Sequence, residues 1–185
     1  ICWLILHYNR YAKIKDIVAD TLCAGQIANV PICCFQLTTA LNIKCIPYSS
    51  LSIDKQSACL QLSEEGFTLD DAIYYNDFQL DTRIRFTIMH ELGHIMLDHA
   101  EDDEIAEIEA NFFAGYILVP PILVYAHDKT GEMDQETIKR LFYVSAPVAE
   151  YGFSSYCGWI KRNAGRFGFE DVDTRIYNHF FPPYL

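Results

Sequence analysis

Positive charge is scarce in this chain. Lysine and arginine together number 14, against 25 aspartates and glutamates, for a net charge of -11 over 185 residues. Duplex phosphates and anionic bilayers both need a basic face, so this balance argues against a general nucleic-acid binder and against a membrane surface as partner. Long apolar runs are missing too, since none approaches the ~20 residues that cross a bilayer. The opening Ile1-Cys2-Trp3-Leu4-Ile5-Leu6 has no charged segment before it and no small-residue cleavage site after it. It reads as the start of a buried helix or strand, not as a signal peptide. The first residue is not Met, which leaves room for a preceding segment. No two cysteines have C-x-x-C spacing, and the seven (Cys2, Cys23, Cys33, Cys34, Cys45, Cys59, Cys157) are odd in number. A secreted disulfide framework is usually even and sits in a smaller chain, so these read as reduced, mostly buried thiols of a cytoplasmic protein. Repeats, linkers and low-complexity tracts are also absent.

What the chain has in quantity is apolar bulk: 51% of its residues are hydrophobic and 14% aromatic. That supplies one sizeable core, and the length is that of one domain. Apolar spacing predicts helices over 10–28, stopped by Pro31, and over 33–41, 52–61, 82–97, 103–118, 135–142 and 146–162. Strands are expected at 42–48 and 72–76, with a turn at 63–66 and a non-helical aromatic tail from Phe180. The order fits a helix-rich α+β domain with a small mixed or antiparallel sheet packed on the 82–97 and 103–118 helices. Residues 1–125 are expected to form the core, and 126–185 a helical extension packed on the same domain.

The segment His90-Glu91-Leu92-Gly93-His94 matches H-E-x-x-H inside the clearest of these helices. Four residues turn a helix by about 400° and advance it about 6 Å, so His90 and His94 project from one face. Two imidazoles so placed can share Zn²⁺. Glu91, about 100° around the helix, can flank the metal and take a proton from water without being a ligand. A catalytic site needs a third protein ligand and an open fourth position. His99 is expected to continue the same helix on another face, as a surface or helix-end histidine and not a ligand.

The acidic stretch from Asp98 to Glu109 supplies carboxylates, most of them expected in a solvated turn, with Asp102 or Asp103 capping the next helix. If that helix starts near Asp103 and runs back, Glu107 returns to the level of His94 at about 1.5 Å per residue. Glu109 overshoots by about 3 Å and points about 200° away, so its removal should leave metal affinity near wild type. Asn111, one turn after Glu107, can hold a ligand imidazole through its side-chain oxygen.

The stretch from Arg83 to Leu97, followed by Glu107-Ile108-Glu109-Ala110-Asn111-Phe112-Phe113-Ala114 and Leu118-Val119-Pro120, resembles the ImmA/IrrE family of zinc metallopeptidases. Ser63-Glu64-Glu65-Gly66-Phe67 and Ile73-Tyr74-Tyr75-Asn76 are similar to that family's pattern as well. The resemblance covers residues 40–121 well and the remainder loosely. It implies a thermolysin-like His-His-Glu arrangement. His90, Glu91, His94 and Glu107 match the family's functional positions, Asn111 matches its usual Asn or Asp, and Glu107 and Glu109 both stand near the third ligand position. It also implies protein substrates, namely helix-turn-helix transcriptional repressors of mobile elements or stress genes.

The expectation from sequence is therefore a cytoplasmic zinc endopeptidase with Glu91 as general base. Tyr125 and His127 are weighed as oxyanion partners against a core tyrosine and a surface histidine. Ile73–Asn76 is weighed as an edge for an extended substrate against an interior strand. Two other classes stand beside the enzyme: a regulatory zinc protein that captures or senses a partner, and a DNA-binding regulator using Glu136–Arg162 as a helix-turn-helix. The second carries no cluster of basic residues in a strongly acidic chain, and an intact Glu91 favours the enzyme over the first.

Overall fold

The computed structural model describes residues 2–100, 103–166 and 168–183, as backbone alone through residue 9. In chain order the elements are α1 (Cys2–Ala24), α2 (Cys34–Ala40), β1 (Lys44–Pro47), a 3-10 turn (Tyr48–Ser50), α3 (Ile53–Leu62), β2 (Gly66–Leu69), β3 (Ala72–Tyr75), α4 (Asp81–Met96), α5 (Glu104–Leu118), α6 (Pro121–His127), α7 (Gln135–Phe142), α8 (Ala146–Asn163) and α9 (Asp171–Phe180). This is a helix-rich α+β fold with one three-stranded mixed sheet, as the sequence predicts. Whether the opening side chains of α1 are buried lies outside the described residues.

The sheet order is β1-β3-β2, with β1 parallel and β2 antiparallel to β3. Ile73–Tyr75 therefore lies inside the sheet, which rules it out as the edge for a substrate. The outer strand on the β2 side is Gly66–Leu69, within and beyond what the sequence reads as a turn. It joins β3 through a two-residue loop, Asp70-Asp71, with both residues at positive φ. That is the primed hairpin turn normally written with Asn-Gly or Asp-Gly, and without the glycine its signal is weak.

Helix α5 is the centre of the core. Ala110, Phe113, Ala114 and Ile117 are fully buried, and the helix packs between α4, α1 and α8. The stretch Glu104–His127 is apolar enough in composition to span a membrane, yet 72% of its most apolar window is buried inside the protein. That is the signature of a core segment. Proline ends α5 as expected, but Pro121 also starts α6, because a proline at the first helical position gives up only an amide that would be unpaired anyway. Helix α9, not expected from the sequence, buries Val172, Ile176 and Phe180 at four-residue spacing. Helix α1 ends at Ala24 ahead of Gln26 in the left-handed region, well before Pro31.

Cys23, Cys33, Cys34, Cys45, Cys59 and Cys157 are free, and of these six Cys34 and Cys59 are buried and Cys33 is exposed. The thiols are thus less buried than composition suggests.

Candidate metal centre

Helices α4 and α5 form an antiparallel hairpin, and two details set its geometry. A Cβ on Gly93 would lie 3.2 Å from Ala110 Cα and 3.2 Å from Phe113 Cδ1, so its absence lets the two helices close on each other. Helix α4 stops at Met96, and Asp98 takes a left-handed conformation at φ 55°. The amide of His99 then donates to the carbonyl of His94 (3.1 Å), and that of Asp98 to the carbonyl of Ile95 (3.2 Å). This is a Schellman closure of the helix C-terminus. Helix α5 begins on its own cap, Asp103 Oδ1, which accepts from the Ala106 amide at 2.7 Å.

Across this hairpin, His90, His94 and Glu107 converge. The two histidine Nε2 atoms are 3.1 Å apart. Glu107 Oε2 is 3.5 Å from His90 Nε2, and Glu107 Oε1 is 3.3 Å from His94 Nε2. Donors at the ordinary metal–nitrogen distance of about 2.0–2.1 Å around a tetrahedral ion are separated by about 3.3 Å. The three observed separations bracket that value, and the donor set of two imidazoles and a carboxylate suits a borderline divalent ion. His90 is held below its ordinary pKa, first by burial, against the opposing pull of Glu107 and Asn111. Burial thus favours the neutral ring that a metal ligand requires.

The outer contacts differ between the two histidines. His90 Nδ1 is 3.1 Å from Asn111 Oδ1. An amide oxygen can only accept, so Nδ1 carries the proton and Nε2 presents its lone pair. His94 Nδ1 is 3.1 Å from His99 Nδ1, and His99 Nε2 is 3.2 Å from Glu109 Oε2. His99 is therefore not a surface histidine. The left-handed turn at Asp98 curls it back against His94, whereas the sequence reading extended the helix through it. Glu109 does point away from the convergence, as expected, but toward His99.

Glu91 stands beside the convergence and accepts a hydrogen bond from Thr68 Oγ1 at 2.9 Å. Thr68 went unnoticed in the sequence because β2 did. A Cβ on Gly66 would lie 2.6 Å from Thr87 Cγ2 and 2.8 Å from the Tyr74 carbonyl oxygen. The bare glycine brings β2 onto α4 at Thr87. Two residues along the strand and one turn along the helix are both about 6 Å, so Thr68 arrives at Glu91.

These groups open onto a cleft of about 950 Å³, whose walls include all of β2 with Arg83, Phe86 and Asn111. A second, more apolar groove of about 460 Å³ adjoins it and shares those three residues. Tyr125 and His127 line neither. Tyr125 is 43% exposed and packs on Trp159, and His127 packs on Phe181.

Residues 57–154, slightly more than half of the chain, match the model of the peptidase M78 family, the IrrE N-terminal-like domain. No curated protein and no solved structure gives a significant match.

Proposed function

The chain belongs to the IrrE N-terminal-like family of peptidases, and from that premise we propose that it is a zinc-dependent endopeptidase. The observation that carries the reading is the convergence of His90, His94 and Glu107 on one point beside Glu91. His90, His94 and Glu107 would hold the metal, which when bound acidifies the attacking water and polarises the scissile carbonyl. Glu91 takes the proton from that water and delivers it to the departing nitrogen, with Thr68 fixing the carboxylate in place. Asn111 fixes the tautomer of His90. An extended substrate lies along β2, the outer strand whose four residues wall the cleft, and pairs with its backbone. The adjoining apolar groove takes a side chain next to the scissile bond.

The substrate we propose is a helix-turn-helix repressor, following the family resemblance, met in the cytoplasm. A net charge of -11 steers a basic partner toward this surface. Incubating the chain with zinc and a repressor encoded beside it, then mapping fragments by mass spectrometry, tests the reading. One or a few cuts are expected with wild type. Glu91→Gln, which keeps the shape but cannot accept the proton, should retain zinc and leave the repressor uncut. Cleavage by Glu91→Gln at the wild-type rate would remove the mechanism and favour a regulatory zinc protein instead.

A further inference from the structure

The polar chain behind His94 continues past the hairpin. Glu109, whose Oε2 faces His99, also approaches Arg10 Nη1 of α1 through Oε1, at 3.3 Å. The side chains of His99 and Glu109 are only 9% and 17% exposed. A protonation pattern follows from one requirement. For His94 to offer a lone pair from Nε2, its Nδ1 must carry the hydrogen. That hydrogen is donated to His99 Nδ1, which must then be the bare nitrogen of its ring. His99 Nε2 in turn carries a hydrogen and donates it to Glu109, while the Arg10 guanidinium faces the remaining carboxylate oxygen. Every donor in the series meets one acceptor, and no ring has to be charged. His90, by contrast, is fixed in a single step by Asn111, on the hairpin itself.

Resting on the metal-centre reading above, we propose that His99 and Glu109 are positioning residues for His94, and that Arg10 ties their chain to α1. The first helix, which lies outside the family match at 57–154, thereby contributes to metal affinity in this chain. Helix α1 is placed for this, since it packs directly along α5, which carries Glu109. The closed helix end at Asp98 supplies the other half of the arrangement by turning the His99 ring onto His94.

The test is metal affinity, not hydrolysis. Zinc binding to the full chain is measured by competition with a chromophoric chelator, and the visible spectrum of the cobalt-substituted protein reports ligand geometry. His99→Phe keeps a ring of similar shape but removes both nitrogens. It should weaken zinc binding roughly 10–100-fold, the usual cost of removing a partner behind a ligand, and alter the cobalt spectrum. His99→Gln, whose amide can both accept and donate, should recover affinity to within a few-fold of wild type. Glu109→Ala should fall between the two, which replaces the near-wild-type affinity expected from helix spacing alone, because Glu109 faces His99; Arg10→Ala should lose a few-fold. Melting in chelator checks that each variant folds without metal. Should His99→Phe not fold, Glu109→Ala and its cobalt spectrum decide the matter. Wild-type affinity and spectrum in the folded His99 and Glu109 variants would overturn the proposal. A wild-type chain that takes up no zinc would overturn the metal centre as well.

Discussion

A carboxylate that takes a proton from water, the role proposed for Glu91, has to be held in one orientation while it does so, and Thr68 contributes to that hold. Its hydroxyl donates to Glu91 Oε2 at 2.9 Å. Thr68→Val keeps the shape and the branched Cβ but removes the donor. Positioned general bases contribute about 10²–10⁴ in rate, and losing one orienting bond should cost part of that, roughly tenfold in kcat. Zinc affinity should stay near the wild-type value, because the hydrogen bond that Thr68 donates goes to Glu91 and not to one of the three converging side chains. Thr68→Ser should restore most of the rate. Steady-state kinetics on the mapped repressor peptide, alongside a zinc titration, separates these effects. A fall in zinc affinity with Thr68→Val would mean that the strand and not the hydroxyl is what matters.

At the scale of elements, the site is a helix hairpin whose two ends are specified locally. The left-handed residue at Asp98 closes α4 and brings back His99. A β-branched side chain is strained there, so Asp98→Val should cost about 1–2 kcal/mol of stability. It should also weaken zinc binding by displacing His99, whereas Asp98→Gly should leave binding near wild type. Urea midpoints and zinc titrations measure the two effects. The same element shows why some of the site was readable from sequence. Helix periodicity fixed the faces of His90, His94 and Glu107, and the Asp103 cap was visible in the acidic run. His99 was misplaced because a helix end closed by an aspartate looks, in sequence, like more helix. Strand β2 was missed because its turn, Asp70-Asp71, carries no glycine. With β2 went Thr68 and the outer strand that walls the cleft. Helix α6 was lost to a proline read only as a stop, and α9 lies almost wholly in 163–179, a stretch to which the sequence reading assigns no element. Those readings fail where one residue serves two elements or where a turn relies on tertiary contacts.

For the whole molecule, the proposed ligands come from two different helices, so a bound metal links α4 to α5 in the folded state and finds no such cluster in the unfolded chain. Its free energy of binding is then folding free energy. At free zinc 100-fold above the dissociation constant, linkage adds about 2.7 kcal/mol. In a chain of this size each kcal/mol moves the melting temperature by about 2–4 °C, so zinc should raise it by roughly 5–10 °C over the chelator-treated protein. Glu107→Ala removes the one proposed ligand on α5, leaving two histidines on a single helix that cannot clamp the hairpin. Its melting temperature in chelator should match wild type, because Glu107 is half exposed and touches only the two imidazoles among the described ion pairs. Its gain on adding the same zinc should fall to near zero. Differential scanning fluorimetry with and without zinc reads both numbers in one experiment. A full zinc-induced shift in Glu107→Ala would place the third ligand elsewhere and break the link between the hairpin and the metal.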